Sequence, residues 1–267
     1  MRTVVADYEL DERVAGVRGE VFVAPAPARL GRPQATVVVR VLRPLGPEAF
    51  RRLRPSLGAL ATVRSTHVGT LIEAGYLDDA EPPFAWYVIE NHGGVDLTDA
   101  HDRVGALRAI AGAARGVHAL HEAGLVHDGI SPAVIRPTPD GGMIDPPVLG
   151  AESAGEGRIL DIGDPALLDT VDPAVARGER PSRASDLWAL GATIHRAVTG
   201  QLLHPDLPGD EPIVALQRVA FEPVRLADHL DPALAATVAS CVARNPAQRP
   251  PTAVALADHL DTLVPPR

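Results

Sequence analysis

Two histidines, His118 and His121, stand three residues apart, and a helix would set both imidazoles on one face, the usual start of a metal site. A metal needs further ligands, and the spacing suggests no third one, so the pair reads as packing or surface. The only cysteine, Cys241, cannot form an internal disulfide. It falls in an apolar helical pattern, where a small buried thiol is the plain reading. Gly16 and Gly19 lie beside a strand-like run, and a hairpin turn can require glycine for backbone reasons alone. Arg40 sits in a β-branched run and reads as a side chain carrying its charge from the strand edge to solvent.

These residues need elements to hold them. Val21-Phe22-Val23 and Val37 to Leu42 are short β-branched runs bounded by Gly and Pro, and Leu71 to Tyr76 and Trp86 to Ile89 read as further strands. Between them Leu53, Leu57, Leu60 and Val63 recur at helical spacing over 50–63, with Pro55 expected near the first turn. After about residue 100 the period changes. Leu107, Ile110, Ala114, Val117 and His121 share a helix face that Gly124 can end with a positive φ, and Leu187, Leu190, Ile194 and Val198 repeat the pattern before Gly200. Leu234 to Val242 and Val254 to Leu263 give two more helices. The reading is a strand-rich part over 1–92 and a helical part over 93–267, with a long, aperiodic Pro, Gly and Asp-rich loop at about 137–183.

The bulk numbers exclude some functions. At 267 residues, 46% of them hydrophobic, the chain can bury a sizeable core. A net charge of −9 argues against a nucleic-acid partner, which would require a basic face. No apolar run approaches the ~20 residues of a membrane helix, and Met1 to Leu10 holds acidic residues where a signal peptide would be apolar. A cytoplasmic protein, or the soluble domain of a larger membrane-associated one, is expected, with Pro265-Pro266-Arg267 as the start of a linker.

Three stretches carry a resemblance. Leu120 to Pro132, reading LHEAGLVHDGISP, resembles the helix and catalytic loop of bacterial Ser/Thr protein kinases of the actinobacterial type. Ala184 to Gly191, continuing to Thr199-Gly200, resembles the central helix of their large lobe, and Asn245 to Pro250 resembles the turn between that lobe's last helices. Val37 to Leu42 is similar to the V-A-I-K strand, Val14 to Phe22 stands in place of the Gly-rich loop, and Glu90 before Gly93-Gly94 resembles the hinge. The resemblance implies an α+β, bilobal kinase-like fold.

It also implies a degenerate site. In the H-R-D-x-x-x-x-N pattern the His falls on His127, the catalytic Asp on Gly129, the following Lys on Ser131 and the metal-binding Asn on Val134. Neither Gly nor Val accepts a proton or ligates magnesium. Asp128 carries a carboxylate one residue out of register. The V-A-I-K Lys becomes Arg40 and its Glu partner falls near Ser56. Gly16, Gly19, Val21, Arg40 and Glu90 would outline a degenerate nucleotide cleft. Two registers stand for the D-F-G Asp: Asp145, after the apolar Met143-Ile144, and Asp161, which needs an insertion before it. The A-P-E motif falls on Asp172-Pro173-Ala174, leaving Arg249 without the family's Glu. His127, Asp186 and Arg249 are the structural residues the family keeps, and Thr170 is a candidate phosphoacceptor in the activation-like loop.

The expectation is therefore a pseudokinase and not an enzyme, acting as a regulatory protein-binding module in Ser/Thr kinase-type signalling. A Ser/Thr kinase or a phosphothreonine-reading domain is the expected partner, and a dimer is compatible with the sequence. No resident cofactor and no Mg2+ site are expected. The alternatives are ATP bound as an allosteric ligand and a divergent phosphotransferase using Asp128, Asp145 or Asp161.

Overall fold

A computed structural model describes residues 3–10, 12–14, 20–31, 35–42, 44–98, 102–149 and 164–265. The described residues fall into two compact units, drawn from Met1–Val63, Gly69–Gly93 and Val148–Gly155 in one, and Arg64–Val68, Gly94–Pro147 and Glu156–Arg267 in the other. Gly16, Gly19, Asp161, Pro266 and Arg267 lie outside the described residues.

In the first unit, β1 (Thr3–Val5) and β2 (Tyr8–Leu10) form a hairpin, and β3 (Glu12–Val14), β4 (Glu20–Pro25), β5 (Thr36–Leu42), β6 (Leu71–Leu77) and β7 (Phe84–Glu90) form an antiparallel sheet in the order β3-β4-β5-β7-β6. The β-branched run of β5 alternates as a pleated strand should: Val37, Val39 and Val41 are buried, while Val38, Arg40 and Leu42 are half-buried. Tyr8 and Val5 of the hairpin share a core with Val39, Val88 and Trp86. The hairpin is also pinned by Arg29, which holds Asp7 at 2.6 Å and bonds Glu73.

Helix α1 (Pro47–Thr62) buries Leu53, Leu57 and Leu60, the positions its spacing predicts. Its start differs from the expectation. Pro47 opens the helix, where a missing N–H has no helical partner in any case, and Pro55 lies in the interior.

In the second unit, α2 (Arg103–Glu122) begins at Asp102, whose carboxylate accepts from the Val104 N–H, and Gly124 follows its end with φ 78°. The residues after the catalytic-loop motif do not begin as the loop expected from 137. They form a hairpin, β8 (Ile135–Thr138) with β9 (Gly141–Ile144). Gly112 and Gly142 make this possible, since a Cβ on either would fall on backbone of the other element. Val68 pairs with Ile144, and the Ile144 N–H donates to the His67 carbonyl at 2.9 Å. Arg64–Val68 fall in the second unit with Gly94–Pro147.

Further on, α3 (Pro165–Leu168) and α4 (Pro173–Ala176) interrupt the expected loop, each started by an Asp cap. The central helix α5 (Arg183–Thr199) starts on a Ser182/Ser185 capping box and stops at Gly200, φ 72°. Helix α6 (Pro212–Phe221), which the periodicity reading did not find, is followed by α7 (Pro232–Cys241) and α8 (Ala253–Leu263). The fold is α+β, strands in the first unit and helices mainly in the second, as the kinase resemblance implies.

Candidate functional site

The loop after α2 is organised by one carboxylate. Asp186, in the first turn of α5 where the helix dipole favours an anion, is buried. Its Oδ2 accepts from the His127 N–H at 2.8 Å and meets His121 Nε2 at 2.8 Å, and its Oδ1 accepts from the Asp128 N–H at 2.9 Å. Asp128 is held there with φ 50°, the left-handed region that Asp tolerates better than most residues. The residue is half-buried.

His127 is buried, and its Nε2 donates to the Asp145 carbonyl at 2.8 Å. Burial pushes its pKa below the usual range, against the nearby carboxylates, so the ring is neutral. Gly129 is exposed, Ser131 is buried at the start of a short turn over Pro132–Val134, and Val134 accepts the Asp145 N–H on its carbonyl at 2.8 Å. The loop is thus tied to Asp145 at two backbone points, with Asp145 directly after β9.

The Asp145 carboxylate has a partner that the sequence reading missed. Arg136, on β8, donates through Nε to Oδ1 at 3.2 Å and through Nη2 to Oδ2 at 3.0 Å. Burial works against the charge of Arg136, but the hydrogen bond and charge of Asp145, with Asp96 nearby, outweigh it and raise its pKa. The signal was available in form only: Arg136 precedes Asp145 in a segment whose two glycines read as loop.

A divalent cation, which the family resemblance implies, does not fit this donor set. The Val134 side chain is hydrocarbon, and both Asp145 oxygens are engaged by Arg136. No group of three His, Cys, Asp or Glu is gathered among the described residues. His118 and His121 are not brought together as ligands: His118 is half-buried, and His121 turns inward onto Asp186. Cys241 is buried, its pKa pushed up to about 12 by burial, and it packs where a Cβ on Gly191 would stand.

Arg249 is neither solvated nor left without an acid. It is buried, bonds the buried Asp172 through Nη1, and donates to the carbonyls of Ala184 at 2.7 Å and Ala243 at 2.9 Å. Its guanidinium also lies 5.3 Å from the Trp188 ring centre. Thr170, expected as a candidate phosphoacceptor, is buried in this structure. It is 8% exposed, and its hydroxyl donates to the Leu167 carbonyl at 2.8 Å. Beside it, buried Asp169 accepts from the Leu203 and His204 N–H groups and meets His204 Nδ1 at 2.9 Å, another pair absent from the sequence reading.

In the first unit, Arg40 lies opposite Val21 and Tyr87 in neighbouring strands. Its Nε is buried with no hydrogen-bond partner among the described residues, so this nitrogen does not reach solvent as expected. Val21 is buried, and Glu90 ends β7 with its N–H on the Thr70 carbonyl at 2.9 Å. Ser56 is half-buried on α1. Among the described residues, no helix is long and apolar enough to cross a membrane.

No protein-family model matches the chain. Curated proteins do. It is 28% identical over 275 residues to the serine/threonine-protein kinase PknB of Mycolicibacterium smegmatis, covering 92% of this chain and 41% of that protein. It is 28% identical over 285 residues to a probable serine/threonine-protein kinase PknB of Corynebacterium glutamicum, covering 98% and 43%. A probable serine/threonine-protein kinase of Corynebacterium efficiens is 29% identical over 291 residues, covering 98% and 42%. The chain spans less than half the length of these relatives. The expectation that the chain is not an enzyme is corrected by these likenesses, because the similar proteins are named as kinases, which are phosphotransferases.

Proposed function

We propose that this chain, similar along nearly its whole length to actinobacterial Ser/Thr protein kinases, is a divergent phosphotransferase domain of a signalling protein, and that Asp128 is its base. Gly129 and Val134 offer no side-chain oxygen or nitrogen, so Asp128 is the carboxylate that the loop 127–134 carries. The supporting observation is the hold of Asp186 on the Asp128 N–H, which keeps that half-buried residue at a left-handed φ. Sparsely populated backbone held by a buried group is a form of stored positioning found at active sites. In the proposed reaction a Ser or Thr hydroxyl gives its proton to the Asp128 carboxylate as its oxygen bonds the γ-phosphorus of ATP. The bond from that phosphorus to the β–γ bridging oxygen breaks, releasing ADP.

The test is transfer of labelled phosphate from ATP to the chain itself or to Ser/Thr peptides. Removing a positioned base costs on the order of 10²–10⁴ in rate, so Asp128→Asn is expected to lose at least a hundredfold of the incorporation. Equal incorporation by wild type and D128N, purified alike, would mean a contaminating kinase and would sink the reading.

A second reading, a regulatory module that binds another protein of Ser/Thr kinase signalling, is supported by α6, where Ile213 and Phe221 are 60% and 67% exposed. Loss of partner binding in Phe221→Glu, with melting unchanged, is the result expected from it.

A further inference from the structure

The pairing of Arg136 with Asp145 stands where the donor set fails to suit a divalent cation. We infer that the Arg136 guanidinium takes the place of that cation, and that this domain meets the phosphates of a nucleotide without magnesium. The inference rests on the phosphotransferase reading of the loop and adds to it the charge that the loop uses.

Four observations carry it. The two nitrogens of Arg136 address the two oxygens of Asp145 separately, at 3.2 and 3.0 Å, the planar fork geometry that fixes a carboxylate in one orientation. Both side chains are partly shielded, 26% and 18% exposed, so the pair is neither a solvated surface contact nor sealed from a ligand. Asp145 is further fixed through its backbone, with its N–H on Val134 and its carbonyl on His127. Finally, Val134 stands where a second metal ligand would be required, and a hydrocarbon there is compatible with a covalently attached cation but not with a coordinated one.

A guanidinium has five N–H donors, and Asp145 engages two of its nitrogens through one N–H each, which leaves donors for phosphate oxygens. A bound Mg2+ on Asp145 would place a dication beside the half-buried Arg136 guanidinium, and the two charges repel. A nucleotide phosphate has only to accept hydrogen bonds from a cation that is already in place. Asp96 adds a second carboxylate within electrostatic range of Arg136, which keeps it charged.

The experiment is ATP binding to the whole chain, followed by calorimetry and by thermal melting, once with excess EDTA and once with millimolar Mg2+. The expected result is the same affinity, within about threefold, in both. In Arg136→Gln the metal-free affinity is expected to fall at least tenfold, while added Mg2+ restores part of it through the freed Asp145. Wild-type binding that is tenfold or more tighter with Mg2+ would overturn this inference and leave the phosphotransfer reading standing. Metal-independent binding that R136Q leaves unchanged would overturn the role of Arg136 alone. No ATP binding in either buffer would overturn both. Because the wild-type comparison is complete without the variant, a misfolded R136Q would not rescue the inference.

Discussion

Arg249 and Asp172, separated by 77 positions in the chain, form a buried ion pair. Ala174, where the kinase resemblance would put a Glu, brings no charge, and the acid that meets Arg249 stands two residues before it. There Asp172 has a second task. Its Oδ1 accepts from the Ala174 N–H at 2.8 Å and so starts α4.

Breaking this pair from either side should be costly. Removing one partner of a buried ion pair leaves the other charge uncompensated, a loss of about 3–5 kcal/mol. Arg249→Ala and Asp172→Ala are each expected to lower the urea midpoint strongly. The double variant should cost less than the sum of the two. A sum that is simply additive would show that the two residues do not depend on each other.

A pH effect follows from the buried histidines. Burial lowers the pKa of both His127 and His195, against nearby hydrogen bonds and carboxylates that act the other way. The unfolded chain therefore takes up these protons first as pH falls through about 6.5, so stability is complete above that value and declines below it. The slope is at most about 1.4 kcal/mol per pH unit for each histidine. The carboxylates of Asp7 and Glu73, held below their ordinary range chiefly by hydrogen bonds from Arg29, contribute only at lower pH. Urea titrations at pH 7.5 and 5.5 should show the lower midpoint at pH 5.5, and equal midpoints would contradict neutral burial of these rings.

Glycine substitutions should separate close packing from mere flexibility. A Cβ on Gly142 would fall on the backbone of Ala109 in α2, so Gly142→Ala is expected to cost about 1–3 kcal/mol through overpacking. Gly58, inside α1, has nothing within 4 Å of its would-be Cβ. There Ala should stabilise by about 0.5–1 kcal/mol, since glycine is the poorer helix former. Melting temperatures that move in the same direction for both variants would refute this account of the α2–β9 contact.

Asp186→Asn should test the loop as a unit. Asp186 receives three groups, the N–H donors of His127 and Asp128 and the His121 ring, and all are buried or partly so. Exchanging one accepting oxygen for an NH2 group leaves at least one of them unpaired, at about 1–3 kcal/mol. Phosphate transfer should fall together with stability. Full transfer in a destabilised D186N would detach Asp128's position from the proposed chemistry.

Much of this molecule was legible from its residues. The periods of Leu53, Leu57 and Leu60, of Leu107, Ile110 and Val117, and of Leu187, Leu190 and Ile194 became buried helix faces, because burial is what a helical apolar period encodes. The alternation in β5 became a strand, and Gly124 and Gly200 took the left-handed conformations that end α2 and α5. Kinase-like motifs were readable for the same reason, since they are local in sequence.

What only the tertiary structure decided concerns partners far apart in the chain. No spacing rule connects Arg249 to Asp172 or His121 to Asp186, because each bond depends on where two helices or loops are brought by packing. The Gly141–Ile144 segment reads as loop from its glycines, yet it is a strand, since the same missing side chains let it pair with β8 against the backbone of α2. Thr170 shows the converse, a residue type suited to modification that folding buries. Sequence carries the tendency of each segment to be helix or strand, while the state of a charge or hydroxyl is set by which groups share its small volume in the folded chain.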